Sequence, residues 1–155
     1  MTKTLIFVPV SPSDAADAAS GTLTDRRGFT VTPELLAMLG YDESLREDAE
    51  YAAMVIASVA GLADNGERIV LVAEVDPVNV VEGTDPTNGE VRVTELPASS
   101  IVAFFTDEPG VDVSAAAEAA RGRSVDDAWD APAVQALLGD CDLLWHGKEE
   151  LAHLA

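Results

Sequence analysis

The chain is poor in the residues from which reactive sites are usually built: among its 155 residues are one Cys, two His and two Lys, and aromatics make up only 5%. A lone thiol, Cys141, cannot close an internal disulfide, and the neighbouring Asp140 and Asp142 disfavour its thiolate. There is no Gly-rich phosphate loop, dinucleotide fingerprint, Gly-x-Ser-x-Gly elbow, paired Cys motif or His-Glu-x-x-His, and each absence counts against a familiar enzyme class. Long apolar runs are missing too. The longest uncharged stretch, Tyr51 to Ala63, falls well short of the roughly 20 residues a membrane span needs. The apolar stretch Leu5 to Val10 is too short for an export signal and lacks a basic leader, so a cytoplasmic protein is expected.

What is abundant is acid. Asp and Glu number 28 against 9 Lys and Arg, a net charge of −19. Such a charge repels phosphate backbones and anionic lipid, which argues against binding nucleic acid or a membrane. It favours encounter with a protein that presents a basic surface. Ala contributes 25 residues to the 48% hydrophobic content, so Val, Leu and Ile must do most of the core packing, with helices drawn close through Ala faces. The length suits a single domain over residues 1–155.

Thr4 to Val10 reads as a buried strand, followed by a short Ala-rich helix. Gly21 to Thr30 has no apolar period and reads as a loop. Thr32 and Pro33 open a brief helix over Glu34 to Leu39 that Gly40 ends. Ser44 and Glu47 have capping-box spacing before a long helix to Asp64, with Asn65-Gly66 as its stop. Strands are expected over Arg68 to Val75, Val78 to Val81, Glu90 to Leu96 and Ser100 to Thr106, with a hairpin connection over Gly83 to Gly89. Helices follow over Ser114 to Arg121, Asp126 to Leu138, and from Asp142 onward. This order predicts an α+β two-layer sandwich: a mixed β-sheet of about four strands packed by the long central helix and the C-terminal helices.

Four groups of side chains could carry chemistry. Asp76 and Asp107 each follow an interior strand; if those strands were parallel, their carboxylates could converge on Mg²⁺, although Asp beside Pro is also ordinary turn chemistry. His146, Glu149, Glu150 and His153 would lie along one face of a terminal helix as potential metal ligands, or as solvated positions behind inward-facing leucines. Arg26 and Arg27, with Arg121 and Arg123, could hold an anion or simply pair with the surplus acid. The oxygen ligands of Asp85 to Glu90 lack calcium-loop spacing.

Several short segments in order carry a resemblance: Ile6-Phe7-Val8-Pro9-Val10, Val31-Thr32-Pro33-Glu34-Leu35, Ala49-Glu50-Tyr51-Ala52-Ala53, Ile69 to Val75, and Leu143-Leu144-Trp145 with Glu149-Glu150-Leu151. Across nearly its whole length the chain resembles an uncharacterised actinobacterial family of small acidic cytosolic proteins, a domain of unknown function. The resemblance implies a bacterial cytosolic protein and brings no substrate, cofactor or catalytic residue. Members usually carry Tyr where this chain has His146, which sets the histidines outside the shared pattern. Glu50 and Tyr51 stand at the centre of the best shared segment. Tyr51, Trp129 and Trp145 could each be amphipathic core residues or anchors for a partner.

These observations favour a non-enzymatic protein-interaction or regulatory domain without a cofactor, with Glu50, Tyr51, Trp129 and Trp145 as interaction positions. A small enzyme or Mg-binding protein using Asp76 and Asp107 is a second reading, and a nucleic-acid mimic a third. The acidity also suits a salt-adapted or GC-rich proteome. A monomer or weak homodimer, through the C-terminal helices or a free sheet edge, is expected.

Overall fold

In Thr4–Pro9 (β1), Ile6 and Val8 are buried on one side and Phe7 on the other, the pattern of a strand covered on both faces. Ile69–Val75 (β3) does the same, sending Ile69, Leu71, Ala73 and Val75 to the first side and Val70 and Val72 to the second. The two pair antiparallel from Thr4↔Val75 to Pro9↔Val70 and form the middle of the sheet. This computed structural model describes residues 2–153.

Around that centre lie Thr22–Phe29 (β2), Val80–Glu82 (β4), Glu90–Pro97 (β5), Ile101–Thr106 (β6) and Leu144–Gly147 (β7), in the order β4-β5-β2-β1-β3-β6-β7. The fold is α+β, but the sheet has seven strands rather than about four, and its pairings are all antiparallel rather than mixed.

Two strands account for much of the difference. The segment Gly21 to Thr30, expected as a loop, holds β2, which runs against β5 from Thr22↔Pro97 to Phe29↔Glu90. Its apolar period is obscured because Gly28 takes an inward position: a Cβ there would stand 2.6 Å from Ile6 Cγ2. Arg26 and Arg27 remain in the strand because carboxylates neutralise both. The second is β7, where a helix was expected. Four residues are too few to show a period, and the leucines around Trp145 fit either geometry.

The helices are Pro12–Ala18 (α1), Pro33–Leu39 (α2), Arg46–Asn65 (α3), Ser114–Ala120 (α4), Val125–Trp129 (α5) and Pro132–Asp140 (α6). The start of α2 is as expected, with Thr32 Oγ1 accepting from Leu35 N at 3.0 Å, and Gly40 ends it in the left-handed region. Likewise Gly66 closes α3 at φ 74°. Ser44 does not cap α3; it hydrogen-bonds to Asp42, which caps a 3-10 turn preceding the helix. Pro132, having no N–H to continue a helix, begins α6 and splits the single helix expected over Asp126 to Leu138.

α3 packs on the sheet face carrying Phe7, Phe29, Val70 and Val72, while α4 to α6 pack on the far side of α3 through Val59, Leu62, Ala117, Val134 and Leu137. Its many Ala residues permit burial on both sides. The other sheet face is covered by α1, through Ala15 and Ala18, and by the 3-10 segment Lys148–His153, through Leu151. The sheet is thus enclosed from both sides, beyond the two layers expected.

Asp85-Pro86 and Asn88-Gly89 do form the connection between β4 and β5. Gly89 is held at φ 80°, and its carbonyl accepts from Thr30 N at 2.9 Å. A Cβ at Gly89 would run into the Thr30 carbonyl oxygen, whereas one at Gly110, φ 94°, would meet open space. Gly89→Ala is therefore expected to lower stability by about 2 kcal/mol or more and Gly110→Ala by about 1 kcal/mol. Urea unfolding of the two variants checks this; equal losses would show that contact with Thr30 has no part in the effect.

Candidate functional site

Glu50 and Tyr51, in the first turns of α3, line the rim of a groove that residues of β1, β3 and β6 also line. Trp145 faces them from the edge strand β7, where it pairs with Phe105. Between them lies a groove of about 440 Å³, floored by Leu5, Phe7, Met54, Val72, Ala103 and Phe105. Tyr51 is 58% exposed and Trp145 64%, and they are the two exposed aromatic side chains among the described residues. The β6 irregularity opposite Val72 and Ala73 leaves Val102 exposed at the same groove.

Trp129 stands in an adjoining depression of about 340 Å³ whose wall includes Tyr51 and Met54. It is half-buried between α3 and α6, and its carbonyl accepts from Gln135 Nε2 at 2.6 Å, so it serves packing as well as surface. The structure thus brings Glu50, Tyr51, Trp129 and Trp145 onto one continuous surface. Tyr51 differs from the buried amphipathic ring that was the structural alternative, because most of it meets solvent. Both exposed rings thus border one apolar floor.

On the opposite sheet face, His146 stacks on Phe104 with ring centres 4.9 Å apart, and its Nε2 lies 2.9 Å from Thr106 Oγ1. Nδ1 is 3.6 Å from Glu150 Oε2. Hydroxyl, imidazole and carboxylate thus follow in the order of a proton relay. The last separation exceeds a hydrogen bond, however, and the Glu150 side chain is 57% exposed, so the ring is not fixed as a general base. These groups border a cleft of about 590 Å³ that Glu67, Glu108 and His153 also line. The expected helical stripe of His146, Glu149, Glu150 and His153 is not formed, because His146 is on a strand and the others on a 3-10 segment. Among the described residues no three His, Cys, Asp or Glu side chains are disposed to hold a metal ion.

Asp76 and Asp107 are not brought together. β3 and β6 run antiparallel, from Ile69↔Thr106 to Ala73↔Ile101, so the residues following them lie at opposite ends of the sheet. Asp76 caps a 3-10 turn through Val78 N at 3.1 Å. Asp107 makes a bidentate pair with Arg68, Nε to Oδ2 being 3.0 Å, and Arg68 also donates to the Cys141 carbonyl at 3.0 Å. Sequence reasoning missed this pair, since nothing local marks Arg68 as buried.

Arg26 and Arg27 line a polar depression with Arg92, but Arg121 and Arg123 do not join them. Carboxylates occupy all three: Asp14 on Arg26 at 2.9 Å, Asp64 on Arg27 at 2.6 Å, and Asp25 on Arg92 at 2.6 Å. Glu90, in the segment considered for calcium, accepts from Thr84 N at 2.6 Å and Thr84 Oγ1 at 2.7 Å. Burial by itself raises the Glu90 pKa; the Thr84 hydrogen bonds and the Arg27 charge outweigh it and hold the carboxyl below its ordinary value.

Fold and surface together define an α+β protein with an aromatic-rimmed groove at one edge of an antiparallel sheet. The chain belongs to the family of unknown function DUF6912, whose family model matches residues 4–155. No curated protein and no solved structure matches it.

Arg68 is 3% exposed, so removing its counter-charge strands a buried cation. Asp107→Ala is expected to cost about 3 kcal/mol in urea unfolding, with Arg68→Met in the same chain recovering part of the loss. A loss under about 1 kcal/mol would place the pair among weak surface contacts. For Glu90 the lowered folded-state pKa means its stabilisation is present above the unfolded value and disappears as pH falls through the folded one. The gap in unfolding free energy between the parent chain and Glu90→Gln should therefore narrow below about pH 4.5. A gap independent of pH would refute the assignment.

Proposed function

We propose that this chain is a protein-interaction domain that receives a partner with a basic face in the groove between Tyr51 and Trp145, and that it does so without catalysis. The observation that carries this reading is the meeting of the two exposed aromatic rings, from distant parts of the sequence, over one apolar floor. Aromatic anchors in a desolvated groove supply binding energy. The surplus of 28 acidic over 9 basic residues speeds encounter with a positive partner and makes it salt-sensitive.

Other readings fit the geometry less well. Mg²⁺ at Asp76 and Asp107 requires a convergence that the antiparallel pairing opposes. Nucleic-acid mimicry rests on charge alone and gives the aromatic groove no role. In the reading proposed here the domain works in the bacterial cytosol as a monomer, because copies each carrying −19 repel one another.

Selection of a random peptide display library on the immobilised full chain at low salt tests this. Enriched peptides should combine apolar or aromatic cores with Lys or Arg flanks. Tyr51→Ala and Trp145→Ala should each weaken a synthesised winner by about tenfold or more while leaving the far-ultraviolet circular dichroism unchanged. Raising NaCl from about 0.05 M to about 0.5 M should weaken it further. Failure to enrich any sequence, or enrichment indifferent to both aromatic substitutions, would count decisively against the groove.

A further inference from the structure

We infer that the partner docks by adding a β-strand to the outer edge of β7, and that this strand alternates apolar and basic side chains. This rests on the groove reading above and specifies the mode of binding and the chemistry of the bound segment.

The starting point is the sheet order. β7 is the last strand, hydrogen-bonded to β6 alone, so among the described residues no strand occupies its outer edge. A strand placed so presents unpaired N–H and C=O groups that another extended chain can satisfy. Natural edges are commonly protected by shortness, Lys, Pro or a bulge; β7 is only four residues long and is followed by Lys148, but Leu144-Trp145-His146-Gly147 itself contains neither Lys nor Pro and pairs with β6 in unbroken register. Leu144 and Trp145 are both exposed.

The two faces of this edge differ in chemistry. Trp145 and His146 are consecutive, and successive side chains of a strand point to opposite faces. Trp145 faces the apolar groove beneath α3, while His146 faces the cleft lined by Glu67, Glu108 and Glu150. A strand laid beside β7 inherits the same alternation. Every second side chain therefore meets the Trp145 indole and the groove, favouring Val, Ile, Leu or an aromatic, and the others meet exposed carboxylates, favouring Lys or Arg. Complementary charge also decides against a second copy of this chain, since pairing two β7 edges would bring the acids of both clefts together.

Two short capped peptides of identical composition separate this from simple attraction: one alternating Lys and Val, the other with all Val followed by all Lys. A third repeats the alternating order with every backbone amide N-methylated, which retains side chains and charge and removes the strand's donors. Calorimetric titration into the full chain at low salt should show the alternating peptide binding at least about tenfold tighter than either control. Hydrogen exchange should slow at β7 amides in its presence, and Glu108→Gln with Glu150→Gln should weaken its binding. Equal binding by the block or N-methylated peptide would overturn strand addition and leave groove docking intact, because that reading is judged by the Tyr51 and Trp145 dependence of selected peptides. Absence of binding by the alternating peptide, or unchanged exchange at β7, would likewise overturn it.

Discussion

Arg68 enters the interior with a charge that must be neutralised within reach of its side chain, and the partners it takes there hold three separate segments together. It begins just before β3, pairs with Asp107 just after β6, and donates to the Cys141 carbonyl after α6. A buried guanidinium accepts few alternative arrangements, because any displacement leaves donors unsatisfied in a medium of low dielectric. Cys141 stands three residues before Leu144, so the same contact fixes where the chain returns to the sheet as β7. The position of Trp145 opposite Tyr51, and of His146 over Phe104, follows from that return. Both surface depressions at this edge therefore depend on this one polar interaction, whose Arg68 and Asp107 also form part of the wall of the cleft.

The excess of acid acts on the fold as well as on the outward field. Five of the seven arginines, Arg26, Arg27, Arg46, Arg68 and Arg92, are engaged by carboxylates within the chain. On β2 this allows two cations and Asp25 to lie in a strand joined to β5 without net repulsion, and Arg92 across the pairing holds Asp25. That bond lowers the Asp25 pKa and raises that of Arg92. With most cations engaged internally, the outward field is set by the remaining carboxylates. Such a field extends about a Debye length and repels other acidic molecules, including further copies of the chain.

Much of the central scaffold was legible in the sequence because its signals are local. Thr32 and Gly40 around α2, Asn65-Gly66 after α3, and the Val- and Ile-rich runs of β1, β3 and β6 each act through neighbouring residues. β2 and β7 were not legible, for different reasons. β2 owes its place to contacts distant in sequence, Gly28 against Ile6 and its arginines against Asp14 and Asp64, whereas β7 is simply too short to display alternation. The site divides in the same way. Glu50, Tyr51 and Trp145 could be singled out as positions in shared segments, but their meeting in one groove required β7 to be a strand. Asp76 and Asp107 fail as a pair because a strand-end argument depends on direction, and strand direction is a property of the assembled sheet.

In the proposed reading, charge and groove have separate tasks in recognition. Carboxylates are spread over helices, turns and strand ends, so their long-range attraction can draw a basic partner close without choosing where it lands. Location must come from an interaction that decays within a few ångströms and is strong only at one place. Apolar contact with Tyr51 and Trp145 meets that requirement, since these are the exposed aromatic rings among the described residues and they share one floor. Both are displayed rather than folded inward although burial of such rings is favourable. Tyr51 is held outward because Ala53, Met54, Ile56 and Ala57 already turn the buried side of α3 to the sheet, and Trp145 because among the described residues no strand lies beyond β7 to flank its ring. The openness of the groove is thus a product of the same packing that completes the core.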